Sequence, residues 1–160
     1  MKNISLYLWT TALLALFAGG AIFILFILIP YWQTLQSIEL IHFFQDFGGR
    51  VAAVMLLMEV FSLVLSVFAF TAARKNNETE KKLWLVVNIS NALILLTLFL
   101  YFIPVNLSFI NGTISRDAVP AELVRWKIVH GIRTALTMLS AAVAILAVAK
   151  LVKRTVHGQI

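Results

Sequence analysis

The sequence predicts an all-α fold, an integral membrane bundle of four transmembrane helices, and three observations carry that expectation. Hydrophobic residues make up 61% of the 160 positions and charged ones 12%, where a soluble domain is about half apolar and a quarter charged. The mean hydropathy is +0.95. Four apolar runs, residues 6–31, 51–73, 83–103 and 126–151, approach or exceed the roughly 20 residues that cross a bilayer. So much of the chain lies in these runs that the expectation is a single domain over residues 1–160.

The first run follows a short basic start, Met1-Lys2, as a signal peptide would. It stays apolar to Ile29, well past the roughly 7–15 residues of a signal core, and no small-residue cleavage site closes it. A retained helix is expected, ending at Pro30 with Tyr31 and Trp32 as interfacial aromatics. Ala15, Ala18, Ala21 and Gly19 within it are small enough to let a neighbouring backbone approach closely. In residues 33–47, Leu35, Ile38, Ile41, Phe43, Phe44 and Phe47 are interleaved with Gln, Glu, His and Asp. That pattern suits an amphipathic surface helix or an extension of helix one. Gly48-Gly49 is read as the break that starts helix two.

Helix two carries Glu59, with Ser62 and Ser66 on the same face. A short charged connection, residues 74–82, leads to helix three, which has Asn88 and Asn91 on one face and is expected to stop at Pro104. In the loop that follows, Asn106 is a first polar candidate, Asn111-Gly112 is a turn signal, and Pro120 is a suitable first residue for helix four.

Charge sets the topology. The net charge is +6, but Arg74, Lys75, Lys81 and Lys82 gather after helix two and Lys150, Lys153 and Arg154 near the end. The positive-inside rule places both regions, and so both termini, in the cytoplasm. The expected location is a bacterial inner (cytoplasmic) membrane, with the lipid bilayer as principal partner and no role for nucleic acid. With no cysteine, disulfides, thiol catalysis and iron–sulfur ligation are excluded.

Helix four holds the most informative pattern. His130, Arg133, Thr134, Thr137 and Ser140 recur at helical spacing, so one stripe is polar and the rest is Leu, Val, Ala, Ile and Met. A charged group at mid-membrane costs about 3 kcal/mol on insertion scales, so such residues face a bundle interior or a cavity. Counting about 1.5 Å per residue puts Glu59 and Arg133 at similar depth, within about a turn. One reading is an ion pair locking two helices, with His130 hydrogen-bonded at the rim. The other, preferred because ionisable residues are rare in such helices, is a polar pocket between helices two and four, with His130 as acid–base group and Arg133 as an anion clamp. A planar aromatic or quinone-like ligand would suit a phenylalanine-lined cavity.

Other constellations are weaker. Glu39, His42 and Asp46 share one side of a helix, but a carboxylate-bridged di-iron centre needs a second Glu-x-x-His and further carboxylates. A solvated face is the preferred reading, and no metal ligands are assigned. Asn88, Asn91, Thr137 and Ser140 are read as hydrogen-bonding glue between helices. No phosphate loop, dinucleotide fingerprint or bis-histidine haem pair is present, so no cofactor is named.

The stretch Ile103-Pro104-Val105-Asn106, followed by Arg125-Trp126, His130 and Arg133-Thr134, resembles the anthrone-oxygenase-like family of small four-helix membrane proteins, also classed as a domain of unknown function. The resemblance implies a cofactor-poor oxygenase that oxidises polyketide anthrones to anthraquinones with molecular oxygen. It implies functional roles for Asn106, Trp126, His130 and Arg133. In that reading His130 and Arg133 are catalytic, while Asn106, Trp126 and Glu59 bind substrate; Glu59 rests on the residues alone and is outside the family pattern. The alternative expectation is a non-enzymatic accessory or scaffold subunit of a larger membrane complex, or a homo-oligomer, using the small-residue face at Ala15, Ala18 and Gly19.

Overall fold

The computed structural model describes residues 3–76, 79–156 and 158. Among them the chain forms four long helices, each apolar and long enough to cross a membrane: α1 (Ile4–Trp32), α2 (Ser37–Lys75), α3 (Lys81–Ile110) and α4 (Arg116–Val156). The described residues contain no strand. By length and composition this is a multi-pass membrane bundle. Each helix packs on its two neighbours in an up-down-up-down ring, α1 on α2 and α4, and α3 on α2 and α4. The start of α1 and the end of α4 therefore share one end, the terminal end; the opposite end is the far end. Large apolar side chains such as Trp9, Phe26, Phe61, Phe68, Phe99 and Leu100 point outward, as lipid in place of water requires.

The helices are longer than the apolar runs, and the difference is instructive. Pro30 and Pro104 were expected to end helices one and three, yet both helices continue, to Trp32 and Ile110. A proline inside a helix removes one amide donor and crowds the preceding turn. Here that turn is widened: residues Ile24–Leu28 and Leu98–Phe102 form single π turns just before each proline. The wide turn accommodates the ring without breaking the helix. A third π turn, Phe44–Gly48, replaces the expected break at Gly48-Gly49. A Cβ on Gly48 would come within 3.0 Å of the Phe44 ring, so glycine there permits the close packing of the wide turn.

The segment at residues 33–47 is consequently neither a separate surface helix nor an extension of helix one. Residues 33–36 are the connection, and from Ser37 the segment is the start of α2, opened by a reciprocal cap in which the Gln36 backbone N–H donates to Glu39 Oε2 at 2.8 Å. At 39 and 41 residues, α2 and α4 are roughly 60 Å long, against about 30 Å of hydrocarbon. Their starts form a cap at the far end. Leu40, Ile41, Phe44, Phe109, Val119 and Leu123 are its core. α3 ends where Gly112, with φ of +64°, turns the chain. Its amide donates to Phe109 O at 3.0 Å and that of Thr113 to Ser108 O at 2.9 Å, the double bond of a glycine-terminated helix. Pro120 lies in the first turn of α4 proper, which begins at Val119, as expected.

The terminal half is closed by small residues and one ring stack. Ala69, Ala73, Ala144 and Ala147 are buried there, and Tyr7 stacks on Trp84 with centroids 5.3 Å apart. Above this plug the expected polar glue is present. Asn88 Nδ2 donates to Ser66 O at 2.9 Å and to Trp84 O at 2.8 Å, and Asn91 Nδ2 donates to Ser66 Oγ at 3.3 Å. Ser140 Oγ reaches Asn91 Oδ1 at 3.5 Å. Thr137 differs from expectation, donating to Arg133 O on its own helix at 2.8 Å. An ion pair not expected from sequence, Arg154 to Glu80 at 3.1 Å, ties the end of α4 to the start of α3. Replacing Asn88 by leucine should lower unfolding stability by about 1 kcal/mol, the usual size of such interhelical bonds. Denaturation of the purified protein by titration with a strong detergent reads this directly, and unchanged stability would deny the network that role.

Candidate functional site

Trp126, His130 and Arg133 follow one another at spacings of four and three, so α4 presents all three to the interior, and all three are buried. Arg133 donates through Nη2 to Glu59 Oε2, and Glu59 is 1% exposed. This pair joins α2 to α4 across the diagonal of the bundle, whereas the other interhelical hydrogen bonds named here join adjacent helices. The Arg133 guanidinium also lies 5.0 Å from the Phe102 ring centroid and 5.8 Å from that of Phe17, so rings from α1 and α3 enclose the charge from the sides. Two aromatic faces and one carboxylate replace the water a guanidinium would otherwise hold.

His130 is buried, at 2% exposed. Its Nε2 lies 3.0 Å from the carbonyl oxygen of Ala21 on α1. A carbonyl only accepts, so Nε2 carries the hydrogen, and in the neutral ring Nδ1 keeps its lone pair. Nδ1 is buried without a hydrogen-bond partner. Trp126 stacks on the imidazole, with centroids 4.8 Å apart and planes 22° from parallel, and Phe102 meets it edge-on at 6.1 Å. Trp126 is in turn held by its Nε1, which donates to Asn106 Oδ1 at 3.0 Å. Asn106 was expected in a loop; because α3 passes through Pro104, it is a helical residue.

These groups border a cavity of about 50 Å³ in the far half of the bundle, enough for a few water molecules. All four helices line it, more than the two expected. Trp32 comes from α1, Met55 and Leu56 from α2, Phe102 and Asn106 from α3, and Trp126, His130 and Arg133 from α4. Leu56 is 40% exposed on the outer surface, so the cavity abuts the lipid-facing side of α2. Each of the three π turns contributes to the wall, through Ile24, through Phe44 and Gly48, and through Leu98 and Phe102. Such wide turns recur at functional sites.

The structure thus brings together four of the five residues singled out from sequence, His130, Arg133, Asn106 and Trp126, around one space. Glu59 does not line the cavity; it holds Arg133 and keeps Oε1 unpartnered, like Ser62 Oγ on the next turn. Glu39, His42 and Asp46 are not drawn to this site: Glu39 caps α2, and His42 and Asp46 are exposed. No cluster of three metal-ligating side chains occurs among the described residues.

Trp32 escaped the sequence reading. It sat among aromatics typical of the membrane interface, but it is 3% exposed, its centroid lies 5.3 Å from that of Trp126, and its Nε1 donor has no partner. Also unforeseen is Tyr101, whose hydroxyl donates to Glu122 Oε1 at 2.7 Å, while Glu122 accepts from Arg125 at 2.7 Å. This bond fastens α3 to α4 beside Phe102.

Comparison of the chain with family models, with curated proteins and with solved structures finds no match. The residues themselves therefore carry the functional argument.

Removing one partner of the diagonal ion pair should be severe. Glu59→Gln leaves the guanidinium uncompensated and is expected to cost about 3–5 kcal/mol. The double variant Glu59→Gln/Arg133→Met removes the stranded charge and should recover much of that loss. A double-mutant cycle on unfolding stability measures the coupling, and additive losses would mean the two side chains do not depend on each other.

Proposed function

We propose that this protein is a cofactor-poor oxidoreductase of the anthrone-oxygenase-like type, acting within the membrane on a lipophilic aromatic that carries a carbonyl and a hydroxyl group. The observation that carries the reading is His130 Nδ1, a lone pair buried without a partner on a residue that borders an aromatic-walled cavity. An unmatched acceptor and, on Trp32, an unmatched donor call for a ligand offering the opposite of each. A hydroxy-ketone of fused rings has both.

In this mechanism His130 Nδ1 takes a proton from the methylene carbon that faces the carbonyl across the central ring and is conjugated with it through the flanking aromatic rings, or from the hydroxyl of the phenol tautomer. The negative charge spreads to the carbonyl oxygen. Arg133, with five N–H donors of which Glu59 Oε2 occupies one, meets that oxygen. Dioxygen is the oxidant: the carbanion adds to it, and loss of water leaves a second carbonyl, so one methylene and one O2 become one C=O and one H2O. Trp126, stacked on the imidazole and anchored by Asn106, keeps the base in its orientation. Substrate enters from the bilayer on the side of Leu56, with Met55, an unbranched and pliable side chain, moving aside to enlarge the space.

We place the terminal end on the cytoplasmic side of a bacterial inner membrane, following the positive-inside rule. The cavity then faces the outer leaflet.

A second reading, an accessory subunit of a larger complex, is favoured by Ala15 and Gly19. Both are exposed on α1 one turn apart, and nothing stands within 4 Å of a Cβ built on Gly19. Such a face suits a close helix crossing.

Purified protein in lipid nanodiscs should consume oxygen when supplied with an anthrone, and His130→Gln should slow this by about 100-fold or more, the scale of a lost general base. Oxygen electrode traces with wild type and variant decide it. Absence of uptake by the wild type, or equal turnover by a folded His130→Gln protein, would reject the assignment; stoichiometric co-purification of other subunits would favour the second reading.

A further inference from the structure

The site above makes no use of the terminal end of the bundle, where the charge of the molecule is concentrated. At the far end Arg50, Arg116, Arg125 and Lys127 are matched by Glu39, Asp46, Asp117 and Glu122, and Glu59 offsets Arg133 in the interior. Among the described residues the terminal end holds Arg74, Lys75, Lys81, Lys82, Lys150, Lys153 and Arg154 against one carboxylate, Glu80. That carboxylate is buried and paired with Arg154.

The cations gather at the end of the bundle where α2 stops, α3 starts and α4 stops. Arg154 Nη1 reaches Thr79 Oγ1 at 3.0 Å and Glu80 Oε2 at 3.1 Å, which sets the last turns of α4 beside the α2–α3 connection. Lys150 lies one turn before Arg154 on α4. Arg74 and Lys75 end α2, and Lys81 and Lys82 begin α3. Arg74, Lys75, Lys82 and Lys150 are exposed and make no ion pair among the described residues. The first turn of α3 adds the positive end of a helix dipole at the same level. Immediately beyond the patch toward the middle of the bundle, the outer surface becomes apolar, with Phe68 on α2, Leu85 and Val86 on α3, and Leu146 on α4 exposed.

We propose that this patch is a binding site for anionic phospholipid headgroups, a phosphodiester carrying net negative charge with its acyl chains against Phe68, Leu85 and Leu146. Cations in a collar directly above a lipid-facing apolar surface meet the geometry of a headgroup and its tails together. Each cation near an anionic surface contributes attraction that acts within about one Debye length. A soluble acidic protein would meet the charges but not the apolar surface below them. The site is independent of the oxidoreductase reading.

Native mass spectrometry of the detergent-purified full chain, titrated with phosphatidylglycerol or with phosphatidylcholine, tests this. The expected result is preferential retention of phosphatidylglycerol, weakened by salt. The surface variant Lys75→Gln/Lys82→Gln should lower that preference by about tenfold or more, with its thermal unfolding midpoint unchanged in phosphatidylcholine. Equal retention of the two lipids by the wild type, or an undiminished preference in the variant, would overturn the proposal. So would displacement of the lipid by glycerol phosphate alone at comparable concentration, since that assigns the patch to a free phosphate.

Discussion

The ion pair between Glu59 and Arg133 is the constraint on which the far half of this molecule depends. Moving two charges out of water costs several kcal/mol per ion even after relaxation. The bundle meets that cost with an opposite charge across its diagonal and two aromatic faces at the sides. Bringing α2 and α4 into this register fixes the helical phase of everything one and two turns away on α4. His130 is thereby directed at the Ala21 carbonyl, and Trp126 at Asn106. A nonpolar pair of similar volume would pack, but it would leave the depth of α4 relative to α2 undefined, because leucine and valine slide past one another at small cost.

The two halves of the bundle do different physical work. Toward the termini, alanines let the helices close, and asparagine and serine bridges join neighbours. Toward the far end large rings hold the helices apart, and the polar atoms they leave unmatched, on Trp32 and His130, border the resulting space. A buried polar atom without a partner is a standing energetic penalty.

How much of this was legible in the sequence follows from which interactions are local. The four helices could be read because lipid demands long apolar runs, and the stripe from His130 to Ser140 because helical periodicity places those residues on one face. Their ends were misread for a definite reason: Pro30, Pro104 and Gly48-Gly49 normally interrupt a helix, and nothing in composition reveals that a widened turn will absorb each. The consequence reached the site, since Asn106 became a helical residue and residues 37–47 joined α2. Trp32, Tyr101 with Glu122, and Arg154 with Glu80 were invisible because each acquires its meaning from a partner on another helix. The pairing of Glu59 with Arg133 could be anticipated only because so few charges lie in these helices.

The widened turns have one further consequence. Each admits a residue beyond the regular count, and a single residue is about 100° of rotation in an α-helix. The ring of Trp32, downstream of Ile24–Leu28, owes its inward azimuth to that surplus. Shortening the segment by one position would make the turn regular and rotate the indole by about 100° away from the interior, although every other amino acid stayed the same. The spacing between α1's alanines and its terminal tryptophan is thus a counted quantity, in which length itself is part of the design.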